Sequence, residues 1–244
     1  MVPQEVEESI LRYWFGVNMK IGIIAAMEVE FNNLLDGMDS YEEYKILGIK
    51  FYDGILNDKE VTLSLSGIGK VNAALACGVL INEFKCDFII NTGIAGGTKP
   101  LSHKDVVIGS GISYHDFDLR VFGYKYGQVP HMPQEFYPGE DAILLVKRSL
   151  KKIGIDYKVA KIYSGDKFVT SLDQLEPNNY EGCCFEMEGA AIAQVCVKSG
   201  TDFIILRYIS DIIGEESQTE NYFEFEEEMS NRSASITLEL LREI

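Results

Sequence analysis

Two carboxylates interrupt an apolar run in the segment Cys183-Cys184-Phe185-Glu186-Met187-Glu188-Gly189-Ala190-Ala191. Ionised carboxylates are rarely buried without a partner. The pair therefore reads either as a polar site or as surface acids at the start of the next helix. An extended backbone would turn Glu186 and Glu188 to one face and Met187 to the other; a backbone already turning would break that parity. Strand–helix junctions are where α/β folds tend to place ligands. Glu28 and Glu30 follow an apolar strand and fall in the first turn of an expected helix, where the helix dipole favours acids. Asp211 ends the run that begins at Phe203 and lies four residues after Arg207. It reads as a site acid, or as an N-cap or Arg-paired structural aspartate. Acids whose protonation is split by burial and partners can serve as general acid and general base.

The elements that would position these groups follow from pattern. Residues 20–25 form a β-rich run that opens into the helix carrying Glu28 and Glu30. Residues 45–56 and 59–66 are β-patterned and separated by Asn57-Asp58, a tight-turn signal. Ser66-Gly67-Ile68-Gly69-Lys70 then leads into an alanine-rich helix, with a glycine spacing that fits neither Walker A nor a dinucleotide fingerprint. Residues 88–92 form a strand ending at Gly93-Ile94-Ala95-Gly96-Gly97, read as a turn or as backbone open to a ligand. Residues 105–114 form a strand leading to an aromatic loop at 122–126. Residues 141–153 are helical, 158–163 extended, and 203–206 the last strong strand. Residues 214–221 read as an acidic loop. A C-terminal helix is expected over 222–244, with an interruption near 230–235. The alternation of strands and helices gives an α/β fold, and no repeat or long linker divides it.

The totals narrow the partners. The chain has 244 residues, 46% hydrophobic and 25% charged, with a formal net charge of −16. That charge disfavours a nucleic-acid backbone or an anionic membrane and suits a neutral or zwitterionic small molecule. No apolar run is long enough to span a bilayer. Residues 1–18 lack the features of a secretory signal and are expected as an extension, the domain proper running over 19–244. Five cysteines, an odd number with apolar neighbours, read as free thiols in a reducing cytoplasm. The three histidines form no metal motif, and no metal or cofactor is expected.

Seven fragments carry a resemblance: KIGIIAAMEVE, SGIGKVNAA, NTGIAGG, YHDFD with FGYKYGQVP, SGDKF, FEMEGAAIA and ISD, in that order across 19–244. Together they resemble the purine-nucleoside phosphorylase and nucleosidase superfamily, most of all its bacterial branch acting on 5′-methylthioadenosine and S-adenosylhomocysteine. The resemblance implies a single domain with a central mixed, twisted, barrel-like sheet flanked by helices. It also implies a homodimer without cofactor whose partner subunit completes the pocket. By position, Glu30 is similar to the acid that activates water and Glu188 to the one that binds the ribose hydroxyls, with Met187 packed on the sugar. Asp211 resembles the general acid near purine N7, with Ser210 beside it. Phe168 matches the residue that stacks on adenine, and the backbone at Val169 the contact to the adenine edge. Ile94 and Tyr222 fall at further substrate-binding positions. Leu119 and Phe122 match positions that close the alkylthio pocket from the neighbouring subunit. Ile94 departs from a common serine, and Lys167 from a common small residue.

The implied chemistry suits these residues. Cleaving an N-glycosidic bond develops positive charge on the ribose and negative charge on the base, which carboxylates and a protonated acid respectively stabilise. Phosphorolysis is the rival. It needs cations for phosphate, and the chain has only six arginines. Glu28 and Glu30 also stand where phosphorylases of this superfamily tend to carry glycine and arginine. Arg207 and the glycines of 93–97 keep phosphorolysis open. A nucleoside-binding protein without turnover is a third reading, and it would not need the acid near N7.

Overall fold

The computed structural model describes residues 19–176 and 180–244; the expected extension, 1–18, lies outside the described residues. Nine strands form one mixed sheet: β1 (Ile21–Ala25), β2 (Ser40–Ile46), β3 (Ile49–Leu56), β4 (Lys59–Leu65), β5 (Phe88–Gly97), β6 (Val106–Tyr114), β7 (Lys158–Ser164), β8 (Cys184–Glu186) and β9 (Asp202–Ile212). Five α-helices are described: α1 (Glu28–Asp36), α2 (Lys70–Asn82), α3 (Glu140–Lys152), α4 (Gly189–Ser199) and α5 (Gln218–Glu243). Strand β5 is the hub. It pairs with β1, β8 and β9, so that β5, β9, β6, β7 and β8 close into a ring while β1, β4, β3 and β2 extend from it as a wing. This is the α/β single domain with a barrel-like sheet implied by the resemblance.

Both faces of the hub strands are covered, which is why they read as continuous apolar runs rather than alternating ones. Ile21, Ile23, Phe88, Ile90, Ile204 and Leu206 pack with α1, α3 and α5. Their neighbours Ile24, Ile89, Phe203 and Ile205 turn to the other face and pack with α2 and α4. The two helices on that side meet through small residues, Ala73, Ala76 and Cys77 against Ala190, Ala193 and Cys196. Small side chains permit close helix approach, and Cys77 Sγ lies 3.6 Å from Cys196 Sγ. All five cysteines are free and buried. Among the described residues, no helix is long and apolar enough to cross a membrane.

Four expectations change. The single run over 45–56 is two strands, because Leu47 and Gly48 adopt positive φ (51° and 85°) and make a tight hairpin turn. Asn57 and Asp58 make the second one as expected. The glycines of 93–97 are not a loop: β5 continues through Gly97. Strand β9 likewise runs past Leu206 to Ile212 and carries Asp211 within it. Helix α5 starts four residues early and is unbroken through 230–235. Within it, Ser233 and Thr237 are buried and find polar partners. Ser233 and Thr237 hydroxyls bond to Thr92 on β5 at 2.9 and 3.0 Å, and Thr237 returns a bond to Ser233 O.

Candidate active site

The site is built where three strand ends meet helix starts. Glu30 is the third residue of α1, and its carboxylate accepts the N–H groups of Ala26 and Met27, each at 3.3 Å. The helix-start reading of Glu30 is therefore correct, yet the same carboxylate also reaches β5 and accepts Ile94 N–H at 3.1 Å. Only 2% of Glu30 is exposed. Burial raises its pKa, against the Ile94 N–H, the nearby Arg207 charge and the other main-chain donors. The glycines of β5 make room for this convergence. A methyl group on Gly93 would stand 2.9 Å from Glu30 Oε1, and one on Gly96 3.0 Å from Asp211 Oδ2. The pairing of β5 with β9 skips Ser210, since Ala95 faces Ile209 and Gly96 faces Asp211. Such a bulge re-aims a side chain at a strand end.

Glu186 and Glu188 have different jobs. Strand β8 ends at Glu186 and the chain turns at Glu188, the residue preceding α4, so the extended-strand parity does not apply. Glu186 accepts the N–H groups of Glu188 and Gly189 at 2.9 and 2.8 Å, capping the α4 N-terminus. It also accepts the Ser164 hydroxyl and pairs with Arg207 Nη2 at 2.5 Å. Burial alone would raise the Glu186 pKa, but Arg207, Ser164 and the main-chain donors bring it below the ordinary value. Glu188 turns away and accepts Gly69 N–H at 2.8 Å. Burial and the Glu186 charge push its pKa up to about 7.

Asp211 is neither an N-cap nor paired with Arg207. Its Oδ1 accepts the Ser210 hydroxyl at 2.7 Å and its Oδ2 accepts Gln218 Nε2 at 2.8 Å. Burial raises its pKa, against those two donors and the more distant His103. Arg207 spends its two Nη groups on Glu186, Asn91 and the Leu206 carbonyl. Its Nε alone lacks a partner.

These groups line one cleft of about 550 Å³, shared by Glu30, Glu188, Met187, Ile94, Phe168, Arg207, Ser210, Asp211 and Tyr222. An adjoining recess of about 260 Å³ is lined by Phe168, Val169, Phe185, Glu186, Met187, Asp211 and Ile213, without Glu30 or Glu188. Asp211 and Phe168, with Glu186 and Met187, thus stand at the junction, and Glu30 and Glu188 line the main cleft only. The Tyr222 ring meets the Phe168 ring edge-on at 5.3 Å. Ile94 contributes its main-chain N–H to Glu30, while its side chain packs into the core. Leu119 and Phe122 stand outside this cleft, and Phe122 is 73% exposed. Lys167 borders the recess only.

Sequence reasoning missed Gln218, Asn91, Ser164 and the Gly69 amide. Gln218 lay in the stretch read as loop; the signal available was its four-residue spacing from Tyr222, which places both on one helix face.

Comparisons with known proteins place the chain in a family. Residues 20–242 match the Phosphorylase superfamily. The chain is 42% identical over 228 residues to the 5′-methylthioadenosine/S-adenosylhomocysteine nucleosidase of Geobacillus thermodenitrificans strain NG80-2, covering 91% of this chain and 96% of that one. It resembles the crystal structure of the corresponding enzyme from Neisseria meningitidis in complex with methylthio-immucillin-A, with TM-score 0.85, 36% identity and coverage of 92% and 99%. The Colwellia psychrerythraea 34H nucleosidase in complex with adenine is similar at TM-score 0.85 and 36% identity, with coverage of 92% and 95%.

Two predictions follow from the charges. Removing one member of a buried ion pair strands the other, so Arg207→Met should lose about 3–5 kcal/mol in urea unfolding, and Glu186→Gln in the same chain should restore part of it. A loss below about 1 kcal/mol would mean the pair is not the anchor described. The second concerns Glu188. A carboxyl held near 7 keeps a proton that the unfolded chain releases from about 4.5 upward. Its contribution to folding therefore worsens between those values and stays unfavourable above them. Glu188→Gln should be stabilising relative to the parent, by on the order of 2 kcal/mol more at pH 8.5 than at pH 5.5. A pH-independent difference would contradict the assignment.

Proposed function

The chain belongs to the Phosphorylase superfamily, and on that premise we propose that it hydrolyses the N-glycosidic bond of 5′-methylthioadenosine and S-adenosylhomocysteine, releasing adenine and the thioribose. The observation that carries the reading is the convergence of Glu30, Glu188 and Asp211 on one cleft, with Asp211 alone of the three reaching the recess beside Phe168 and Val169. The purine occupies the recess, stacked on Phe168, with its edge toward the Val169 backbone. The ribose lies over Met187, its hydroxyls on Glu188. Glu30 removes a proton from water as the water oxygen bonds to the anomeric carbon. The carbon–nitrogen bond breaks, its electron pair passes to the purine, and Asp211 delivers a proton to N7. Burial favours the protonated form of Asp211 that this step requires; it raises Glu30 as well, and there three main-chain N–H groups and the Arg207 charge act against the rise, toward the ionised form that activating water requires.

Water is favoured over phosphate as nucleophile. Arg207 is the one cationic side chain among the described residues lining the main cleft. Its guanidinium fork is already spent on Glu186 and Asn91, leaving a single N–H where phosphate binding calls for several donors.

The functional unit is a homodimer in the cytoplasm, serving methionine salvage and removal of methyl-cycle by-products. Val121 and Phe122 are 84% and 73% exposed, and Ile68 and Val71, at the cleft rim and the start of α2, are 53% and 77% exposed. Large exposed apolar side chains of this kind fit a partner subunit. Leu119 and Phe122 then close the alkylthio pocket of the neighbouring subunit, consistent with their place outside this chain's own cleft.

The test is product identity. With methylthioadenosine, free methylthioribose and adenine should form at the same rate with and without phosphate. The sugar 1-phosphate, or no adenine, would overturn the reading. Asp211→Asn and Glu30→Gln should each keep the circular dichroism of the fold while losing roughly 10²–10⁴-fold in adenine release. Near-parental activity in either removes that residue from the mechanism.

A further inference from the structure

Gln218, in the first turn of α5, is only 3% exposed and fully bonded. Its Nε2 donates to Val169 O at 2.9 Å and to Asp211 Oδ2 at 2.8 Å. Its Oε1 accepts Gly214 N–H at 3.1 Å, in the connection between β9 and α5. An NH₂ group thus bridges a main-chain carbonyl and the acid of the site. Those are the acceptors an amino-substituted purine would use in the recess, since the exocyclic amine of adenine likewise carries two hydrogens beside an acceptor nitrogen. Carboxamide and base edge cannot hold the same two acceptors at once.

We propose that Gln218 is a displaceable surrogate for the amino edge of the base, seated on Val169 O and Asp211 and exchanged for the purine at each binding event. This rests on the placement of adenine in the recess given above. Tyr222, four residues on, faces the same cleft and meets Phe168 and Met27 Sδ. Residues at that spacing share a helix face, so withdrawing Gln218 also shifts the ring at the cleft mouth. The short connection over 213–217 ties this movement to the end of β9. Base binding must first break the hydrogen bonds of Gln218, which lowers apparent affinity and assists product release.

Adenine binding to the full-length protein by titration calorimetry tests this without depending on turnover. Gln218→Ala and Gln218→Leu, checked for folding by thermal melts, should bind adenine roughly 5- to 30-fold more tightly than the parent, the equivalent of one or two hydrogen bonds no longer broken. Unchanged or weaker binding would overturn the proposal and make Gln218 a structural or Asp211-positioning residue. Absence of adenine binding in parent and variants alike would also overturn it. In the unmutated protein, amide exchange at Gly214 should quicken on adding adenine, because its acceptor leaves; slower or unchanged exchange there contradicts the displacement. If methylthioadenosine is not hydrolysed but adenine binds with this pattern, the proposed reaction fails while the role of Gln218 stands.

Discussion

A single guanidinium holds this site together. Arg207 is buried beneath the cleft, and its charge bears on Glu186, Glu188 and Glu30 together. One cation cannot neutralise three carboxylates. Direct pairing goes to Glu186, which is also bonded to Ser164 and to the α4 N-terminus and stays ionised. Burial pushes Glu30 and Glu188 both toward their protonated forms, the Glu186 charge adds to this at Glu188, and Arg207 offsets only part of it. The Arg207–Glu186 pair also ties β9 to β8 within the closed ring, and through Asn91 to β5. Fold closure and site electrostatics therefore depend on the same contact.

Around that anchor, protonation is divided by partners rather than by residue type. Glu30 collects three main-chain N–H groups, Glu188 one, and Asp211 two side-chain donors. The donors to Glu30 are main-chain groups. The donors to Asp211 are side chains, one of them in the first turn of α5. A site that must keep one acid ready to accept a proton and another ready to give one is well served by that difference.

Much of this was legible beforehand, for reasons that can be stated residue by residue. Buried strands announce themselves as short apolar runs, so β1, the first half of β5, β6 and the first half of β9 were readable. Acids embedded in such runs stand out because their burial needs a partner, which drew attention to Glu30, Glu186, Glu188 and Asp211. Pairing was harder. Arg207 and Asp211 are neighbours in sequence, whereas the carboxylate that holds Arg207 is Glu186, on a different strand, and pattern alone carries no information about which acid wins. Glycines at 93–97 look like a loop because local preference disfavours them in strands; their purpose is the close approach of Glu30 and Asp211, which arrive from elsewhere in the chain. Gln218 was hidden by its surroundings, an acidic stretch that reads as solvent-exposed until α5 is seen to begin there.

The proposed chemistry requires three acids to meet at one ribosyl–purine bond. A crystal structure with a non-hydrolysable methylthioadenosine analogue examines that most directly. It should place the Asp211 carboxyl within hydrogen-bond distance of purine N7, the Glu188 carboxyl on the ribose hydroxyls, and Glu30 facing the anomeric carbon from the side opposite the base. A ligand bound elsewhere, or bound in the cleft with Asp211 directed away from the purine, would contradict it.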